Sequence, residues 1–69
     1  MNEIIFVIEE DPEGGYIAKA LSHSIFTQGE TIEELKSNIN EAVLCHFDEK
    51  DLPKIARMHF VRDEVFAIA

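Results

Sequence analysis

The sequence predicts an α+β domain in which one amphipathic helix packs on one face of a small antiparallel β-sheet, in the order β-β-β-α-β. Short β-branched and aromatic runs, separated by turn residues, occupy the first half of the chain. One stretch with apolar residues at helical spacing follows, and a last apolar run comes after a proline. The 69 residues fit one domain, residues 1–69.

Three short runs rich in β-branched or aromatic residues are predicted to be the first strands. Between the first two, the segment DPEGG favours a hairpin. Asp11 and Pro12 suit the start of a type I turn, and Gly14 or Gly15 can supply a positive φ. The predicted strands are Glu3–Glu10, Tyr16–Leu21 and Ile25–Gln28.

The helix is the most strongly specified element. Thr31 and Glu34 have the spacing of a capping box, in which each side chain accepts a hydrogen bond from an otherwise unpaired backbone N–H. We expect the helix to end near Phe47, since Pro53 disfavours helical backbone at Leu52. The residues that share one face at 3.6-residue spacing are Ile32, Leu35, Ile39, Ala42 and Val43.

The last apolar run, residues 55–68, is interpreted as strand, with two segments if the chain bends at residues 62–64. The first strand is apolar at every position from Ile4 to Ile8, so both of its faces require burial. One helix covers one face only. Either the C-terminal segment folds across the second face or another copy covers it, and we favour a homodimer or higher homo-oligomer. The predicted interface residues are Ile5, Val7, Leu44, Phe60 and Phe66.

The chain is strongly acidic. Fourteen Asp and Glu residues against six Lys and Arg give a formal net charge of −8. Nucleic acids are bound mainly through Lys and Arg on phosphates, so this composition disfavours direct binding of DNA or RNA. It favours a basic protein partner, because complementary charge speeds encounter. Solubility alone also explains an acidic surface.

Compartment and membrane association follow from the single cysteine and the N-terminal residues. Cys45 has no second cysteine with which to form an internal disulfide. The N-terminal segment has no basic region and only five consecutive apolar residues, so it resembles neither a signal peptide nor a membrane span. We expect a cytoplasmic protein without membrane contact.

Catalytic and metal sites are not indicated. The three histidines, His23, His46 and His59, lack ligand spacing, and the adjacent Cys45 diverges from His46 on a helix. A thiol near a helix C-terminus is also disfavoured as a thiolate. The basic residues between Lys54 and Arg62 are flanked by acids, which favours local ion pairs. We therefore expect no enzyme activity, no cofactor and no metal.

Three motifs nevertheless match a known family. They are GGY at residues 14–16, TQGETIEE at residues 27–34 and INEA at residues 39–42. Together they resemble the HicB-like antitoxin family, here as a stand-alone domain of the UPF0150 type. The resemblance covers about residues 3–47. The proline-rich segment that many members carry before the Thr–Gln–Gly run is replaced by residues 20–26.

The resemblance implies both a fold and a function. The fold would be a partial RNase H-like domain without its catalytic carboxylates. The function would be to bind a small basic RNA-cleaving toxin of the HicA type and mask its active face. Full-length relatives often add a C-terminal DNA-binding domain, for which 69 residues leave no room, so we expect no operator binding by this chain alone.

The contact surface for such a partner is predicted at the first hairpin, where acids cluster beside a tyrosine, a residue type enriched at binding hot spots. The predicted partner-binding residues are Glu9, Glu10, Asp11, Glu13 and Tyr16. Two alternatives stay open. One is an orphan oligomeric domain that binds an unknown ligand. The other is a metal-dependent nuclease remnant that uses the carboxylates of the hairpin and of residues 48–51.

Overall fold

The computed structural model describes residues 2–69, which form one four-stranded sheet and one long helix. The sheet order is β3-β2-β1-β4, and a short 3-10 turn, Glu49–Asp51, precedes the last strand. The elements are β1 (Glu3–Glu10), β2 (Tyr16–Ala20), β3 (Phe26–Gly29), α1 (Ile32–His46) and β4 (Ile55–Val61). The predicted class and the order β-β-β-α-β are confirmed, and the ends of the first three strands agree with the prediction within one residue.

The sheet is mixed, which differs from the expected antiparallel sheet. Strands β1, β2 and β3 pair antiparallel, whereas β4 runs parallel to β1, with Glu3 opposite Ile55 and Glu9 opposite Val61. A parallel pair requires a long crossover connection, and α1 supplies it. The helix carries the chain back to the end of the sheet where β1 begins, so β4 starts there too.

The core lies between α1 and one face of the sheet. On β1 the alternate residues Ile4, Phe6 and Ile8 are buried. Strand side chains alternate between the two faces, so these three point to the helix together. The other buried apolar residues are Ala18, Ile25, Leu35, Ile39 and Val43. The predicted helical stripe is confirmed, with its remaining members Ile32 and Ala42 half-buried.

Both ends of α1 are capped. The N–H of Glu34 donates to the hydroxyl oxygen of Thr31 at 3.1 Å, as the capping box predicts. The carboxylate of Glu34 accepts from the N–H of Glu30 at 3.3 Å, one residue before the expected partner. At the other end, the N–H of Phe47 donates to the carbonyl of Val43 at 3.2 Å.

The second face of the sheet is uncovered in the single chain. Ile5 and Val7 lie on this face and are half-buried, and Phe26 of the β3 edge strand is exposed on it. β4 lies beside β1 as an edge strand rather than across this face. The prediction that β1 has apolar residues on both faces is thus confirmed, and the C-terminal segment does not cover the second face.

The C-terminal residues 62–69 form no strand and are exposed throughout. The expectation of a strand extending to Ile68, in one or two segments, is therefore wrong beyond Val61. The physical reason is the end of β1: it stops at Glu10, which is in register with Arg62, so residues after Arg62 have no residue of β1 to pair with. We call residues 62–69 the C-terminal arm.

Among residues 2–69, no helix is long and apolar enough to cross a membrane.

Candidate partner-binding cleft

The tip of the β1–β2 hairpin is a hydrogen-bonded turn. The N–H of Gly14 donates to the carbonyl of Asp11 at 2.9 Å, and the Asp11 carboxylate accepts from the N–H of Glu13 at 2.9 Å. Gly14 and Gly15 have φ values of 107° and 82°, a region that favours glycine. The predicted turn is confirmed, and both glycines supply positive φ.

The hairpin tip and the start of α1 are brought together by close backbone packing. Tyr16 pairs with Gly29 in the sheet, and a Cβ on Gly15 would lie 2.8 Å from the Gly29 carbonyl oxygen. A Cβ on Gly29 would lie 2.7 Å from the backbone nitrogen of Leu35. Only glycine permits this approach, so the GGY and TQGE motifs together fix where the helix begins relative to the hairpin.

A polar cleft of about 520 Å³ lies at this junction. Four of its lining residues are acidic, and among the described residues that line it there is no lysine, arginine or histidine. A cleft lined by one sign of charge focuses the electrostatic field and attracts the opposite charge. The lining residues of this acidic cleft are Asp11, Glu13, Gly14, Tyr16, Gln28, Gly29, Glu30, Glu34 and Asn38.

The structure separates the predicted partner-binding residues into two groups. Asp11, Glu13 and Tyr16 line the acidic cleft. Glu9 and Glu10 lie farther down the hairpin, in a shallow depression that also contains Arg62 and Asp63. The Tyr16 ring is half-buried and meets the ring of Phe60 edge to face, with centroids 6.4 Å apart. Tyr16 is therefore held in place beside the acids, as an anchor residue requires.

Besides Gly14 and Gly29, four residues of the cleft are not predicted from the sequence as contact residues. Gln28, Glu30 and Glu34 belong to the TQGETIEE motif, which indicates a turn and a helix start rather than a contact surface, and Asn38 carries no signal. The Asn38 amide donates to the Gln28 carbonyl at 2.7 Å, which ties α1 to β3. The pairing of Tyr16 with Gly29 sets the hairpin beside the helix start and so brings these residues to the predicted acids. This pairing is a property of the folded sheet and could not be predicted from the sequence.

Comparison with known proteins places the chain in a family. It is 50% identical over 66 residues to a UPF0150 protein of Thermotoga maritima, covering 96% of this chain and 93% of the relative. It is 51% identical over 53 residues to a UPF0150 protein of Archaeoglobus fulgidus, covering 77% of this chain and 79% of the relative. The chain belongs to the UPF0150 family.

The UPF0150 assignment rests on these relatives. No family model matches the chain. No solved structure matches it either, so the likeness to a partial RNase H fold stays a prediction.

Outside the acidic cleft, an ion pair in this UPF0150 chain links β4 to β1. Arg57 pairs with Glu3 on the neighbouring strand, its Nη2 lying 2.7 Å from the carboxylate. The prediction that Arg57 pairs with acids close to it in sequence is therefore wrong. The parallel register sets Arg57 opposite Ile5, two residues along β1 from Glu3 and on the same face of the sheet. The hydrogen bond to Glu3, and then its charge, raise the pKa of Arg57.

One histidine of the UPF0150 chain packs against the helix end. His23 is half-buried, and its ring centroid lies 5.1 Å from that of Phe47 and 6.0 Å from that of His46. It packs over the C-terminal end of α1. Residues 2–69 contain no group of three or more His, Cys, Asp or Glu side chains arranged to hold a metal ion.

The predicted oligomer-interface residues are spread over the UPF0150 chain. Ile5 and Val7 lie on the uncovered sheet face, whereas Phe60 points to the helix side of β4, and both Phe60 and Leu44 of α1 are about half exposed. Phe66 lies in the C-terminal arm and is 76% exposed. These residues do not form one continuous surface on a single copy, and the interface stays a prediction.

Proposed function

We propose that this UPF0150 chain is a non-catalytic protein-binding module that captures a small basic protein, as the HicB-like antitoxins it resembles capture an RNA-cleaving toxin. The observation that carries the proposal is the acidic cleft, in which Asp11, Glu13, Glu30 and Glu34 share one concave surface without a cation. Lysine or arginine side chains of a partner would supply the missing charge.

The position of the cleft favours recognition of a protein rather than a small molecule. It is polar and open, lies at a hairpin tip and a helix start, and has the half-buried Tyr16 at its edge. Small-molecule sites are mostly apolar and enclose their ligand. A basic protein surface, by contrast, needs exposed carboxylates and one or two aromatic anchors. The bound toxin would have its active face covered.

The proposal includes two further properties. The chain would act in the cytoplasm, where a toxin that cleaves RNA would have to be neutralised. It would also act as a homodimer or higher homo-oligomer, since the uncovered sheet face bears the half-buried Ile5 and Val7 together with the exposed Phe26. Apolar residues clustered on an exposed face indicate an interaction surface.

The test is capture of a basic partner by the tagged chain from its source cells, read by mass spectrometry. A small basic protein recovered in stoichiometric amount is the expected result. The variant Glu13→Lys with Glu30→Lys should then bind that protein at least tenfold more weakly, because like charges now face each other across the contact. Both residues are exposed, so the fold should be retained.

The matched control carries the same change of charge outside the cleft, as Glu41→Lys with Glu49→Lys. It should bind as the parent does. Equal binding by all three proteins, with unchanged circular dichroism, would show that the cleft is not the contact surface. Micromolar Mg²⁺ binding by calorimetry, together with RNA cleavage by the purified chain, would favour the nuclease alternative and reject the passive module.

A further inference from the structure

The C-terminal arm, residues 62–69, consists mostly of apolar residues and is exposed to solvent along its whole length. Its three large apolar side chains, Val65, Phe66 and Ile68, are 93%, 76% and 87% exposed. The Cα radius of gyration is 13.9 Å, whereas a compact chain of this length has about 11 Å. The longest dimension is 56 Å against 20 and 18 Å for the others. The arm therefore stands away from the body with its apolar side chains in water.

An apolar pocket of matching character lies between α1 and the start of β4. It has a volume of about 230 Å³, enough for an aromatic side chain, and its walls include Ile39 and Val43 of the helix and Pro53 and Ala56 of the chain entering β4. Lys36 and Lys54 also line it. Two of the six cations of this acidic chain are thus gathered at one apolar pocket.

The arm does not occupy the pocket of its own chain, since Phe66 is 76% exposed. The arm leaves from the far end of β4, after Val61, whereas β4 and the residues before it line the pocket from Pro53 to Met58. To enter its own pocket the arm would have to reverse direction, which consumes at least two residues in a turn. The remaining residues before Phe66 span roughly 10 Å, which reaches Met58 at the near edge but not the walls at Pro53 and Ala56.

We propose that a second copy of this chain receives the arm, so that two copies exchange their C-terminal arms. β4 is an edge strand of seven residues, and its outer backbone groups have no strand partner among residues 2–69. Two copies of β4 can pair antiparallel about a two-fold axis. Each arm then runs past the partner's Pro53–Ala56 segment, where the pocket opens.

The alternation of side chains supports this arrangement. Met58 and Phe60 pair with Phe6 and Ile8, so they face the helix side of the sheet. If the arm continues β4 in extended form, Phe66 projects to that same side, because strand side chains alternate with a period of two. In an antiparallel pair, opposite residues share a face. Phe66 therefore projects to the side on which the partner's pocket lies.

Charge complementarity also supports the arm of a second copy as the segment that occupies the pocket. The arm carries Asp63 and Glu64 immediately before its apolar residues. The pocket carries Lys36 and Lys54, and neither lysine forms an ion pair with any residue in the described range 2–69. Docking the arm brings its two acids toward these two cations. This contact involves neither the acidic cleft nor a basic partner, so the proposed function can fail while arm exchange stands.

Crosslinking of two single-cysteine variants tests the arm's position. One carries Ala67→Cys, which keeps Phe66, and the other carries Asn40→Cys in the pocket; both carry Cys45→Ser. Mixed and oxidised, they should give a covalent heterodimer. The control mixes the Ala67→Cys variant with the parent chain, whose exposed Cys45 lies outside the pocket. A yield of heterodimer no higher than that of the control would overturn the proposal.

Sedimentation equilibrium tests the energetic role of the arm. The parent chain should be a dimer, and Phe66→Ser should weaken it roughly hundredfold, because each dimer loses two buried aromatic side chains. Ending the chain after Val61 should weaken it at least as much. Leu21→Ser, which also removes an exposed apolar side chain but lies in the turn after β2, should leave the dimer unchanged. A monomeric parent, or a dimer unaffected by loss of the arm, would refute arm exchange.

Discussion

Replacing Gly29 with alanine should destabilise the fold at the point where the sheet meets the helix. The new Cβ would lie 2.7 Å from the backbone nitrogen of Leu35 and 2.9 Å from its Cα. These are backbone atoms of α1, so no side-chain rotation relieves the contact. The start of the helix would have to move away from the sheet by roughly 0.8 Å to restore ordinary van der Waals separation.

The expected loss follows from two opposing terms. Overpacking of this kind costs about 1–3 kcal/mol. Alanine also restricts the unfolded chain and returns about 0.4–1 kcal/mol. The net loss for Gly29→Ala should be about 1–2 kcal/mol, because the steric term is the larger. In a domain of this size, such a loss lowers Tm by about 5–10 °C.

Urea unfolding followed by circular dichroism at 222 nm measures this loss, at one fixed protein concentration because self-association affects the midpoint. Gly14→Ala is the informative comparison, since its Cβ would meet nothing within 4 Å and its φ of 107° supplies backbone strain alone. Gly29→Ala should also alter binding at the acidic cleft, because Glu30 and Glu34 follow Gly29 into the helix. A Gly29→Ala protein as stable as the parent would refute the steric argument.

Three further outcomes are expected from single substitutions. Thr31→Ala should cost about 1 kcal/mol by removing the hydroxyl that accepts from the Glu34 N–H, and Thr31→Ser should restore the urea midpoint. Leu35→Ala should cost about 3–5 kcal/mol, which is comparable with the whole stability of a domain of this length, so far-UV dichroism should show extensive unfolding. Glu3→Gln should leave the urea midpoint unchanged, because its partner Arg57 is exposed. A raised arginine pKa contributes stability that is lost only as pH rises above the arginine range, so the Glu3→Gln and parent proteins should respond alike between pH 6 and 9.

The local elements were predictable from the sequence because their signals are local. The Thr31–Glu34 spacing sets the start of α1, and the apolar stripe through Leu35 and Ile39 sets the face it buries. The glycines after Asp11 specify the hairpin turn. Each of these depends on residues within a few positions of one another, where backbone geometry and side-chain hydrogen bonds decide the outcome.

The position of β4 and the acidic cleft were not predictable in this way. Sequence periodicity indicates a strand over residues 55–68, of which only Ile55–Val61 forms one, and it does not indicate whether that strand pairs parallel or antiparallel, or with which neighbour. The cleft joins Asp11 and Glu13 to Glu30 and Glu34, which are some 20 residues away along the chain. Clustering by sequence instead grouped Glu9 and Glu10 with the hairpin tip.

The sequence by itself determined the order of the elements, the ends of the helix and the buried stripe, and its identity to two relatives shows the UPF0150 family. Only the tertiary structure decided that β4 lies parallel at the sheet edge, that four carboxylates share one cleft, and that an apolar arm is left without a surface to cover it. The physical reason is that local structure follows from neighbouring residues. Strand pairing and packing instead depend on contacts between distant segments, and the arrangement that buries the most apolar surface is favoured.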